Sequence, residues 1–198
     1  MNFLAHAFLS FGHEKILVGN FIADFVKGKQ LEKFEKQIQI GIQLHRAIDF
    51  FTDSHPLVKA AQAYLRPKFG HYSSVITDVF FDYFLVKNWN QYSGEPVEKF
   101  IQNVYNTLDR YALVFPARFA GMYHWMKKDN WLLHYGEIDG IRRALTGMAR
   151  RAQFESKMEQ AHLALVENED EFELIFFAFF KELESFASEK LTELENQT

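Results

Sequence analysis

An all-α fold follows from three features of this 198-residue chain. Apolar residues recur at helical spacing along nearly its whole length. The 4 prolines and 10 glycines fall mostly between those periodic segments. Polar pairs four residues apart, one helical turn, recur inside Phe-rich stretches. With 48% hydrophobic residues and 22 Phe, the chain has ample material for one core. The expectation is one multi-helix bundle over residues 1–198, with no linker and no internal repeat.

Taken in order, a first helix is expected at Phe3 to Phe11, ending near Gly12, and a second at Lys15 to Val26, with Gly28 as its stop. The third, Glu35 to Asp53, must end before Pro56, which cannot continue it. Pro56 suits the first turn of a short helix to Leu65. Ser73 or Ser74 is the expected cap of a long helix from Val75 to Asn88. Pro96 opens a helix to Tyr111, and Phe115-Pro116 precedes one running to Trp125 or Met126. A short turn at Asp129 to Tyr135 and a helix from Glu137 to Arg151 follow. The rest, Glu155 to Glu195, reads as two helices or one long broken helix, with the break at Asn168-Glu169-Asp170 and a frayed end.

The third helix, GIQLHRAIDFFTDSHP at 41–56, carries the chemistry. His45 and Asp49 project from one face beside Phe50 and Phe51, and burying them is costly unless they are paired or bind a metal. The same spacing recurs in Asn2 and His6, Asn20 and Asp24, and Asp78 and Asp82. Four such helices could turn these pairs toward one pocket. Histidine and carboxylates without thiolates suit Mn²⁺, Mg²⁺ or Fe²⁺. The preferred ligands are His45, Asp49 and one or both of Asp78 and Asp82, with Asp24 and His6 completing the site or orienting it. Asp53 reads as a helix-end residue and His55 as a loop residue.

Cysteine is absent, so there is no disulfide framework or thiolate metal site. A formal net charge of −4 argues against wholesale nucleic-acid binding. The start, MNFLAHAFLSF, has no early Lys or Arg, and the longest apolar run, LIFFAFF at 174–180, is too short to span a bilayer. A cytoplasmic protein without a membrane span is the expectation. The densest basic cluster is Arg142, Arg143, Arg150 and Arg151. It is either a solvated face or a dock for an acidic partner.

MNFLAH, GNFIADFVKG at 19–28, GIQLHRAIDFFTDSHP, DVFFDYFLVKNW at 78–89 and the later IRRALTGMARR together resemble the acyl carrier protein phosphodiesterase family over nearly the whole chain. The resemblance implies an all-helical fold distantly related to HD-domain metallophosphohydrolases. It also implies hydrolysis of holo-acyl carrier protein to apo-acyl carrier protein and 4′-phosphopantetheine, with a divalent metal, commonly Mn²⁺. On that reading Asp24, His45, Arg46 and Asp49 are the catalytic candidates; His6, Asp24, His45, Asp49, Asp78 and Asp82 are the metal candidates. Asn20 and the four arginines would contact the substrate. Many members carry His directly after the second aspartate of DVFFD, where this chain has Tyr83. Two other functions stay open: an HD-like phosphohydrolase of a nucleotide or small phosphate ester, and a non-catalytic helical interaction module.

Overall fold

In the computed structural model, which describes residues 1–197, every regular element is helical. Helix α1 (Phe3–Phe8) has six residues, too few to persist alone. It is held at both ends. Asp82 accepts the backbone N–H groups of Leu4 (2.9 Å) and Ala5 (3.1 Å), which have no acceptor within so short a helix. Downstream, Ser10 donates to the His6 carbonyl (2.8 Å) and accepts from Asn20 Nδ2 (2.8 Å). The helix stops at Phe8, three residues short of the expected Phe11, and the chain turns through Phe11 (φ +50°) and Gly12 (φ +78°) before α2.

Helix α2 (Glu14–Ile22) tightens into a 3₁₀ turn at Ala23–Phe25 instead of running on to Val26. The tighter turn takes Asp24 off the helical register of Asn20, so this pair does not share one continuous face. Helix α3 (Lys36–Ser54) packs along α2 unusually closely. A Cβ on Gly19 would lie 2.7 Å from Gly41 Cα, and one on Gly41 2.9 Å from Gly19 Cα. Only paired glycines allow this approach, which sets His45, one turn beyond Gly41, against the Asp24 turn.

Helix α4 (Pro56–Phe69) outruns the expected stop at Leu65 by a full turn. Val58, Ala61, Leu65 and Phe69 form its buried stripe, and Pro67 is accommodated inside it. Helix α5 (Ser73–Lys87) starts two residues early. Ser73 lies within its first turn and Ser74 donates to the His71 carbonyl, so neither serine is its cap. Helices α6 (Val97–Arg110), α7 (Ala117–Lys128), α8 (Trp131–His134) and α9 (Ile138–Ala149) follow close to expectation. Asn168 separates α10 (Ala161–Glu167) from α11 (Glu169–Asn196), as the sequence predicts.

The core lies where α11 crosses α3, α4 and α5. Phe81 packs on Phe176 and Phe179, Phe84 on Phe176, and Phe80 on Phe172. Burial of each such ring contributes roughly 1.5–3 kcal/mol. Helix α11 is helical through Asn196, with Leu191 and Leu194 carrying the buried stripe onward; Thr198 lies outside the described residues. Among the described residues no helix is long and apolar enough to cross a membrane.

Candidate metal centre

His6, from α1, and His45, from α3, stack with ring centroids 4.0 Å apart and planes 19° from parallel. Both are buried. Their Nε2 atoms converge on Asp49, one turn beyond His45: His6 Nε2 is 3.2 Å from Oδ1 and His45 Nε2 is 3.0 Å from Oδ2. One ligand atom from each of the three residues lies within 4.8 Å of the others. Asp24 Oδ1 approaches His45 Nε2 at 3.3 Å from the 3₁₀ turn, with its side chain 70% exposed. The cluster is therefore buried on the histidine side and open on the Asp24 side.

Electrostatics sort the two histidines. Burial, aided by the neighbouring His45, lowers His6 to about 4, so its imidazole is neutral near pH 7. Burial also opposes charge on His45, but the hydrogen bonds to Asp24 and Asp49 outweigh it and raise it to about 9. Burial of Asp49 is likewise outweighed by its bonds to His45 and His6, which hold its carboxyl far below the usual range. Asp24 is lowered by its bond to His45.

A divalent cation fits this arrangement. Two imidazole nitrogens and a carboxylate, all aimed at one another, form an N/O donor set that suits a borderline or hard ion. Two histidines around one carboxylate leave the cluster with a proton on His45 that a cation would displace.

The other sequence candidates fall around this cluster. Asp78 Oδ1 lies 3.3 Å from the Met1 amino group, which is also 3.3 Å from Asp49 Oδ1. Burial disfavours charge on this amine, yet Asp78 and Asp49 raise it to about 10. Burial raises Asp78 itself. Asp82 is fully buried, and both its oxygens accept α1 N–H groups; burial raises it to about 7 against those bonds. It sits outside the three-residue cluster. Asn20 serves Ser10, and Arg46 Nη2 donates to the Val26 carbonyl (2.8 Å), tying α3 to the exit of the 3₁₀ turn. Asp53 is exposed near the end of α3. His55 accepts the Leu57 N–H at the start of α4 and reaches Glu182 at 3.2 Å. Tyr83 points to α11, donating to Glu169 at 2.7 Å, so this position does not face the cluster.

Of the arginines, Arg142 and Arg143 both approach Asp139, Arg142 at 2.6 Å and Arg143 at 3.4 Å. Arg150 follows the last turn of α9. Arg143 and Arg151 border a cavity of about 450 Å³ with Trp131, Tyr135, Ala144 and Met148. Sequence reasoning gave no sign of that cavity, because its wall is shared between α8 and one face of α9.

The fold and the cluster define a class: an all-helical protein with a His–His–Asp site able to hold a metal ion. More narrowly, the chain belongs to the acyl carrier protein phosphodiesterase family, whose model matches residues 1–183. The acyl carrier protein phosphodiesterase of Enterobacter sp. (strain 638) is 33% identical over 91% of this chain and 94% of its own length. The protein of the same name from Escherichia coli O139:H28 is 32% identical over 96% of this chain and 99% of its own. No solved structure gives a significant match.

Proposed function

We propose that this chain is a metal-dependent phosphodiesterase that hydrolyses holo-acyl carrier protein to apo-acyl carrier protein and 4′-phosphopantetheine. The observation that carries the reading is the convergence of His6, His45 and Asp49 in a chain whose relatives bear that name. These three residues would hold a divalent ion, Mn²⁺ first among the candidates. Such an ion supplies Lewis-acid polarisation of a phosphoryl oxygen.

The chain's own groups do the rest. Asp24 is open to solvent at the edge of the cluster, so it is placed to take a proton from the attacking water. The water oxygen bonds to phosphorus, the bond from phosphorus to the serine oxygen breaks, and Asp24 returns its proton to that oxygen. Asp78 stands on the same side as Asp49 and completes the acidic rim. We assign Asp82, Asn20 and Arg46 to positioning: Asp82 holds α1 and so His6, Asn20 holds Ser10 beneath His6, and Arg46 holds the turn that carries Asp24. The exposed arginines of α9 and the turn after it would receive an acidic carrier protein. The kinship with HD-type phosphohydrolases, a single catalytic domain and a cytoplasmic site of action belong to the same proposal.

The test is intact-mass spectrometry of holo-acyl carrier protein incubated with the purified protein and Mn²⁺. Conversion to the apo form, blocked by chelator, is the expected result. Turnover of small phosphate esters with the carrier untouched would instead point to a small-molecule phosphohydrolase.

A further inference from the structure

The cavity between α8 and α9 has no part in the chemistry above, yet it reaches the start of the segment that carries His6. Its wall residue Tyr135 is buried, lies against the Asn2 side chain and feels the charge of Asp82. Asp82 in turn holds the start of α1, on which His6 sits. The cavity is thus one side chain removed from the segment that carries a metal candidate. At about 450 Å³ it falls in the usual range for small-molecule sites, about 300–1,000 Å³.

Its lining is mixed. Trp131, Ala144 and Met148 supply apolar wall, while Arg143 and Arg151 border it with guanidinium donors. Arg151 makes no ion pair among the described residues, so its donors remain available. Two guanidinium groups alone would favour an anion, but Asp129 also lines the wall and offsets them, and the combination suits an uncharged, branched-alkyl chain bearing amide carbonyls. One further residue keeps the space open. Gly147 lies inside α9, where glycine costs about 0.5–1 kcal/mol relative to alanine. Neither a positive φ nor a backbone collision explains it: a Cβ there would meet only the Arg151 guanidinium, at 3.6 Å. Gly140, two turns earlier, differs, because its Cβ would strike the His134 carbonyl.

We propose that this cavity seats the pantetheine arm of the carrier protein while its phosphodiester lies at the His6–His45–Asp49 centre; this rests on the phosphodiesterase reading above. The arm's methyl-bearing segment lies on Trp131, Ala144 and Met148, and its amide carbonyls accept from Arg143 and Arg151. Serine and the carrier protein then leave on the Asp24 side.

The probe is pantetheine itself, titrated calorimetrically into the protein without metal. The wild type should bind it, and pantetheine should compete with holo-acyl carrier protein. Gly147→Leu, which fills the cavity, should weaken pantetheine binding and raise KM for the carrier by about tenfold or more, with kcat changed less. Mn²⁺ affinity should stay unaltered, showing that fold and cluster are intact. Should that variant fail to fold, Arg151→Ala, a change at an exposed side chain, should lower pantetheine affinity in the same direction. Absent pantetheine binding by wild type, or wild-type KM in the variants, would overturn the arm site while leaving the phosphodiesterase reading standing. Pantetheine binding without any cleavage of the carrier would overturn the phosphodiesterase reading and, with it, the role of this cavity in catalysis.

Discussion

Replacing Asp49 by Asn tests the centre with the least disturbance of shape. The amide keeps the volume and removes the charge that both His6 and His45 address, at 3.2 and 3.0 Å. Losing an outer hydrogen-bond partner of a metal ligand costs about 10–100-fold in affinity. Asp49 is itself one of three converging groups, so Mn²⁺ affinity should fall more than about 100-fold, or ~2.7 kcal/mol. The metal-free protein should suffer as well. There Asp49 faces two cations: His45, held protonated up to about 9, and the Met1 amine. Bonds to charged groups contribute about 1.5–3 kcal/mol each when buried. The Asp49 side chain is 36% exposed, so solvent screens part of this, and a total loss of about 1–3 kcal/mol is expected. Equilibrium dialysis against Mn²⁺ reads the first effect and urea unfolding in chelator the second. A folded variant that binds Mn²⁺ with wild-type affinity and stoichiometry would refute the assignment of the centre.

Four other perturbations separate roles that the sequence left merged. Asp82→Asn should cost about 1–3 kcal/mol of stability, because an amide cannot accept both the Leu4 and Ala5 N–H groups, while metal stoichiometry should not change; loss of stoichiometric metal from a folded variant would restore Asp82 as a ligand. Gly41→Ala drives a methyl to 2.9 Å from Gly19 Cα and into the Ile16 carbonyl, so thermal unfolding should show a loss of at least about 3 kcal/mol. Lys87→Met removes contacts of 2.9 and 3.0 Å to Glu169 and Glu173 on a partly exposed surface and should cost no more than about 1 kcal/mol at pH 7. Lys87 and Tyr83 lower Glu169 below its ordinary 4.5, so this contribution is present above that value and lost as pH falls through the lower folded one; melts in acid strong enough to protonate the folded carboxylate should show little difference from wild type. Arg150→Glu should lower kcat/KM for the carrier protein about three- to tenfold at low ionic strength, with the gap closing as salt is added; a loss indifferent to salt would place the dock elsewhere.

The helical fold was legible in the chain because periodicity and punctuation are local properties. Asn168 divides two helices and Pro56 opens one for reasons carried within a few residues. His45 and Asp49 were legible for the same reason: one turn of one helix places them together, whatever surrounds it. Spacing could not say which of the remaining polar groups face the same point. Asp78 and Asp82 look equivalent in sequence, yet one reaches the Met1 amine and the other is consumed by the N–H groups of α1. That difference depends on where a helix 78 residues earlier in the chain comes to rest. His6 joins His45 only because α1 is pinned by α5 and α2, and Asp24 reaches His45 only because Gly19 and Gly41 let α2 and α3 touch. The cavity beside Tyr135 has no local signature, since its walls are separate segments and its volume is set by side chains that stop short of one another. Local pattern determined the elements and one helix face of the centre; only tertiary packing decided which groups complete it, because convergence is a property of distances between elements.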